Sequence, residues 1–347
     1  MTIFDLVKAP ELTAYWEEHT QDAPPYLGEE LFPAEKKLGL RLDWIKGSMG
    51  LPVVLKPSAF DATAVPRPRI GFDKLSTNMP YFKESTYIDE ELRQELNMVL
   101  ETGNQAYIDA VINRVFNDEI ALLNGARARR EQMRMLALTT GVISITANGQ
   151  QYDYDYGMPS GHKITLSGSA QWSDTTNADP IEDMRKWMDK VEDDTGVRPT
   201  RGVLTRKTWG YLRNNQKIIK SCFVLSNGQV GALSDRRLTQ YLSDELGLEL
   251  VIYGKRYTDD TGSAAQFIPD DTVVLFPSGD LGKTWFGTTP EESDLMGGKT
   301  ANVSITDTGV AVTTVQKTDP VNVETKVTMI CLPSFEEIDH IIIADVA

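Results

Sequence analysis

The residues best placed for chemistry lie in Pro277-Ser278-Gly279-Asp280-Leu281-Gly282-Lys283-Thr284, which nearly spells a phosphate-binding loop. Such a loop curls backbone N–H groups around a phosphate and starts a helix at its Lys-Thr, so that the helix N-terminus faces the anion. Here Pro277 takes the place of the first glycine, which removes a donor and restricts φ. The following Trp285-Phe286-Gly287-Thr288-Thr289-Pro290 carries no helical pattern. A nucleotide-dependent enzyme built around Lys283 is therefore one candidate reading, and the loop argues against it. A second candidate is Asp153 with Asp155, two carboxylates on one face of a strand, but no further oxygen ligands follow at loop spacing. They read as the wet face of a half-buried strand. His19, His162 and His340 stand alone, without a second histidine or a cysteine at metal-ligand spacing. Cys222 and Cys331 lie far apart and suit buried free thiols better than a disulfide or a zinc site. The Asn302-Val303-Ser304 sequon has no secretory signal to give it meaning. No catalytic residue, cofactor or metal is expected.

The elements that would position these residues are dominated by a helix. From Tyr107 to Leu138, Ile108, Val111, Val115, Leu122, Ala126, Met133 and Leu136 recur three or four apart, with Asp118, Glu119 and Glu131 among the charges between them. Arg127, Arg129, Arg130 and Arg134 also fall between the apolar positions and read as a solvated or subunit-facing edge of mixed charge. About 32 residues reach roughly 48 Å, more than a compact core needs, so this helix suits the spine of a flat molecule. Gly125 inside it costs about 1 kcal/mol relative to alanine. Gly141 caps its end, and Val142–Thr146, an Asn148-Gly149 turn and Tyr152–Tyr156 then form a hairpin.

Upstream, residues 1–50 combine a short helix around Leu12, Tyr15 and Trp16 with segments broken by Pro24, Pro25 and Pro33, which reads as an arm. Leu51–Phe82 holds five prolines among strand-like stretches and suits a two-stranded excursion. Tyr87–Leu100 follows as a helix. Downstream, Asp179-Pro180 opens a helix with Ile181, Met184, Trp187, Met188 and Val191 on one face, ended by Gly196. A strand at Gly202–Thr205, helices at Thr208–Arg213 and Asp235–Leu246, and strands at Leu248–Tyr253 and Thr272–Phe276 give this body alternating α and β elements. Val321–Leu332 and His340–Ile343 are expected to pair beside Val142–Thr146.

The chain of 347 residues and 38.7 kDa has ample material for a core. Its net charge of −15 is spread over residues 1–85, 86–175, 176–309 and 310–347, none of them basic, so no Lys/Arg arm of the kind that holds nucleic acid is expected. No apolar run approaches the length of a membrane span, and Met1-Thr2-Ile3-Phe4-Asp5 lacks the pattern of a signal peptide. A soluble protein made in a cytoplasm is expected.

Several short matches now fall in one order. The helix carries Glu119, Arg130 and Glu131, exits through Leu138-Thr139-Thr140-Gly141, and is followed by Asp155-Tyr156-Gly157, His162, Ser169-Ala170-Gln171-Trp172-Ser173 and Asp179-Pro180. Phe267-Ile268-Pro269-Asp270-Asp271-Thr272-Val273-Val274-Leu275 and Pro333-Ser334-Phe335-Glu336-Glu337-Ile338 complete the set. The chain resembles the major capsid proteins of lambda-like tailed bacteriophages. The resemblance implies an α+β fold, shared by tailed-phage and herpesvirus capsids, with a long spine helix, a β-rich peripheral domain, an α/β axial domain, an extended N-terminal arm and a β-hairpin loop. Placed on this chain, the arm is residues 1–50, the loop 51–85, the peripheral domain 86–175 with return strands 310–347, and the axial domain 176–309. It further implies that the loop lies across a neighbouring subunit, with Pro66, Arg67, Pro68 and Arg69 as its stiff basic segment. The implied function is a head protein that self-assembles into an icosahedral shell around double-stranded DNA, in the cytoplasm of a bacterial host, and expands as DNA enters. Its implied partners are itself in hexamers and pentamers, a scaffolding protein, a portal protein, a decoration protein in members that carry one, and packaged DNA held without sequence-specific binding. A bacterial nanocompartment shell enclosing cargo enzymes is the second reading within the same fold.

Overall fold

The computed structural model describes residues 8–20, 24–46, 73–88, 90–102, 105–147, 149–223, 232–259, 261–296, 301–319 and 321–347. The chain divides into two compact units, one made of residues 1–43, 76–133 and 283–334, the other of 44–75, 134–282 and 335–347. These bounds differ from the expected ones. Residues 283–309 join the first unit because Thr284–Phe286 pairs with Val321–Pro333, and residues 335–347 join the second, where the terminal strand finds its partners.

The first unit is built on a six-stranded sheet in the order Ala34–Lys36, Thr284–Phe286, Val321–Pro333, Val310–Thr318, Asn302–Thr306, with Tyr81–Ile88 also pairing along Val321–Pro333. The 13-residue strand Val321–Pro333 is its centre. One side holds Val310–Thr318 from Val310↔Met329 to Thr318↔Val321, and the other holds Tyr81–Ile88 from Ile88↔Val323 to Tyr81↔Ile330. A strand paired on both sides is buried along much of its length, and Val323, Val327, Met329, Ile330, Cys331 and Leu332 are all in the core. Tyr87 and Ile88, expected to open a helix, end the strand instead, and the helix runs Glu90–Thr102. Ladder pairing of an aromatic and β-branched run decided the matter over local helix signals.

The N-terminal segment is not a free arm. Helix Ala9–Thr20 buries Ala9, Leu12 and Trp16 within its own chain. The Trp16 indole N–H donates to Asn124 Oδ1 at 3.2 Å, Tyr15 meets Phe116 edge-on, and the Thr13 hydroxyl lies 3.1 Å from that of Ser304. Strands Arg41–Lys46 and Asp73–Asn78 form a two-stranded ribbon. The Pro66–Arg69 segment between them lies outside the described residues.

In the second unit a five-stranded sheet runs Lys163–Thr165, Ile342–Asp345, Thr272–Phe276, Arg201–Leu204, Glu249–Ile252. Helix Pro180–Thr195 follows its sequence signals closely. The Asp179 carboxylate accepts the Glu182 N–H, proline takes the first turn, Gly196 closes the helix at φ 79°, and Ile181, Met184, Trp187, Met188 and Val191 are buried. With helices Arg206–Asn214 and Asp235–Leu246 it packs a core in which Trp172 stacks on Trp187 at 5.7 Å. Ile342–Asp345 sits here, antiparallel to Thr272–Leu275 and parallel to Lys163–Thr165. The expected partner Val142–Ala147 pairs with Gln150–Asp155 in its hairpin. Hydrophobic character names a strand but not its mate, and this pairing closes across more than sixty residues.

Helix Gln105–Thr140 supplies residues up to Met133 to the first unit and from Arg134 to the second. Gly141 ends it at φ 72°, its N–H bonded to the Ala137 carbonyl.

Candidate functional site

The expected interface residues within the described chain are the helical arginines, and their surroundings differ from a solvated edge. Leu123, Arg130, Glu131, Met133, Arg134, Met135, Ala137 and Leu138 are buried, whereas Leu122 and Leu136 are only half-buried. The buried face is therefore turned from the one that the apolar spacing suggested, because charged residues on it have partners in the same chain.

Arg127 donates from Nε and Nη2 to the two carboxylate oxygens of Glu29, at 2.8 and 2.9 Å, and its guanidinium lies over the Tyr26 ring at 5.1 Å. This fork geometry raises the Arg127 pKa, chiefly through the Glu29 hydrogen bond. Glu29 also accepts the Tyr26 backbone N–H at 3.1 Å, which fixes the start of the short helix Leu27–Leu31. One turn further along the spine, the fully buried Glu131 accepts the Gly28 N–H at 3.1 Å. Arg130, 4 % exposed, pairs with Asp307 and sits over the Phe286 ring at 5.5 Å. Asp307 and Thr308 turn the hairpin between Asn302–Thr306 and Val310–Thr318 with positive φ, 49° and 72°. Arg129 donates to Gln132 at 2.6 Å, and Arg134 is buried. Arg127, Arg130 and Glu131 thus tie the N-terminal segment and a β-turn to the spine. Sequence reading missed Glu29 and Asp307, which lie about 100 and 180 positions from their partners and show no local signal.

The other candidates are likewise engaged. Lys283 pairs with Glu35, the Thr284 hydroxyl donates to the Phe32 carbonyl, and Thr284–Phe286 is a strand rather than the start of a helix. That is the wrong frame for a phosphate. His162 meets Asp194 at 3.1 Å, and His340 meets Glu337. Asp153 and Asp155 are exposed, and Asp153 accepts from Ser144 at 2.5 Å and Gln151 at 2.6 Å. Burial raises the pKa of the Cys222 thiol. A buried carboxylate, Glu291, accepts from Tyr81 at 3.2 Å and Thr328 at 3.1 Å, with the Lys83 ammonium 4.0 Å away. Among the described residues no group of His, Cys, Asp and Glu could hold a metal ion. The described polar clusters join segments of one chain.

Residues 8–346 match the family described as phage major capsid protein E. The chain belongs to that family. A 159-residue stretch is 30 % identical to the major capsid protein of Pseudomonas phage JBD67, taking in 42 % of this chain and 46 % of that one. The match thus spans about half the length of that relative. Solved structures extend the likeness in fold over nearly everything. A prophage protein of Escherichia coli CFT073, assigned as a capsid protein, superimposes with a TM-score of 0.61 at 18 % identity, covering 98 % of this chain and 99 % of that one. A phage-related protein of Bordetella bronchiseptica RB50 gives 0.57 at 15 % identity, covering 98 % of each chain. A subunit of the cyanophage A-1(L) capsid gives 0.51 at 11 % identity, covering 92 % and 91 %. The expected tailed-phage capsid fold is the one this family member has.

Proposed function

We propose that this family member is the head protein of a tailed phage, whose copies assemble into an icosahedral shell enclosing double-stranded DNA. The observation that carries the reading is the family match from residue 8 to residue 346. Its partners would be other copies in hexamers and pentamers, with scaffolding and portal proteins during assembly in a bacterial cytoplasm. The role is structural rather than catalytic. Leu38, Leu40, Tyr87, Met98 and Met296 are exposed apolar side chains that a neighbouring copy could cover. Pro66, Arg67, Pro68 and Arg69 are proposed as the segment that reaches an adjacent, predominantly acidic subunit, two prolines stiffening it and two arginines meeting carboxylates.

Sedimentation and negative-stain microscopy of the purified protein test the reading. Closed particles or capsomers are expected, and a protein that stays monomeric at all concentrations and salts would overturn it. Particles from the phage-infected host should contain DNA, whereas particles filled with protein cargo would move the reading to a nanocompartment shell. Arg67→Glu with Arg69→Glu should leave soluble, folded subunits that assemble poorly, most visibly at low salt, where the lost attraction and the added repulsion are least screened. Normal heads from that double variant at every salt would remove the segment from the interface.

A further inference from the structure

Charge summed over long segments conceals a local excess. From Gly196 to Ser243 the sequence holds nine lysines and arginines against one carboxylate, Asp235, within a chain of net charge −15. Part of that excess is neutralised inside the second unit. Lys207 pairs with Asp271 at 2.6 Å, Lys217 with Asp179 at 3.2 Å, and Arg198 with Asp189 and Glu192 at 2.6 Å each. Of the six that remain, Arg206, Arg213, Arg236 and Arg237 are exposed and lie around Asp235. Asp235 accepts the Trp209 indole N–H at 3.0 Å and lies 3.9 Å from Arg206 and 3.7 Å from Arg213. One carboxylate cannot balance four guanidinium groups. Arg237 also lies over the Phe223 ring at 4.6 Å, and arginine and aromatic residues are both enriched at protein interfaces.

Arg213, in the last turn of helix Arg206–Asn214, suits its helix, but two of the other charges oppose theirs. Arg206 stands in the first turn of helix Arg206–Asn214, and Arg236 in the first turn of Asp235–Leu246. Cations there oppose the helix macrodipole. Asp244 and Glu245 occupy the last turn of the second of these helices, where anions oppose it too. Glu245 bonds Arg185 of helix Pro180–Thr195, whereas Arg206 and Arg236 are kept at the expense of their own helices, which points to another use. The surface outside this stretch is acidic, and every copy of the chain carries both signs.

We propose that the surface formed by Arg206, Arg213, Arg236 and Arg237 docks on an acidic surface of a second copy of this chain. Because the two faces differ, the contact runs head to tail and closes into a ring when repeated about an axis. The inference rests on the shell reading and names one face of the subunit contact it requires.

The test is the double variant Arg206→Glu, Arg236→Glu, followed by thermal melting of unassembled subunits, sedimentation from low to high salt, and binding of a short DNA duplex. The variant should melt at or above the wild-type temperature, since glutamate in a first turn suits the dipole. Its assembled fraction at low salt should fall at least about tenfold, while wild-type assembly weakens as salt rises. A variant that assembles like the wild type across the salt series overturns the proposal, and loss of duplex binding alone would assign the surface to nucleic acid. If the double variant misfolds, Arg206→Gln with Arg236→Gln carries the same expectation at smaller size. A wild-type chain that forms no closed particles counts against the shell reading, and small oligomers then decide the surface. Salt-sensitive oligomers lost in the variant support it, and monomers at every salt overturn it.

Discussion

At the scale of single residues, the pairs that tie distant segments together are the informative ones, because removing one partner strands the other. Arg130 is nearly inaccessible, whereas the side chain of its partner Asp307 is 38 % exposed. Arg130→Met should therefore cost about 1–3 kcal/mol, below the range for a fully buried pair, because the stranded carboxylate can still hydrate. Urea unfolding of unassembled subunits measures this, and a variant as stable as the wild type would mean that the pair adds nothing net. Tyr81 offers a second reading at this scale. Burial first, then the charge and hydrogen bond of Glu291, push its pKa up to about 12. Below pH 10 the phenol keeps its proton in folded and unfolded chains alike. Between about pH 10 and 12 only the unfolded chain releases it, so stability falls as pH rises through that window. Tyr81→Phe should flatten the fall, and an equal loss of stability in variant and wild type would show that other groups govern it.

At the scale of elements, the long helix shows what periodicity can and cannot tell. Its extent, its glycine stop and the following hairpin were legible from local signals, as were the cap, apolar face and end of Pro180–Thr195. The helix phase was not, because Arg130, Arg134 and Glu131 look like surface residues until their partners are known, and Glu29 and Asp307 are recruited from far along the chain. The same non-locality hid the partners of Ile342–Asp345 and the strand character of Tyr87 and Ile88. The corrected phase makes a clear prediction. Leu123, 3 % exposed, should lose about 2–5 kcal/mol on substitution by alanine, while half-buried Leu122 should lose distinctly less. Chemical denaturation of both variants checks the order, and the reverse order would restore the phase suggested by apolar spacing alone.

At the scale of the whole molecule, the N-terminal region decides what an isolated subunit is. Proline-broken sequence with little periodic apolar surface suggests an arm that orders only on a neighbour. Instead, Leu12 and Trp16 are buried in the chain's own first unit, Thr306 donates to Glu17 at 2.8 Å, Gly28 is held by Glu131, and Glu29 by Arg127. These contacts make residues 9–20 and 26–36 part of the subunit before any assembly. Limited proteolysis of unassembled subunits should spare both stretches. Trp16→Ala should cost about 3–5 kcal/mol, the range for emptying a buried aromatic site, even where no assembly is possible. Rapid cleavage within 9–20 in isolated subunits, together with a harmless Trp16→Ala, would return this helix to the class of arms ordered by a neighbour. Protection and a large cost would leave assembly to surfaces of an already folded unit, so that mutations could block shell formation without touching subunit stability.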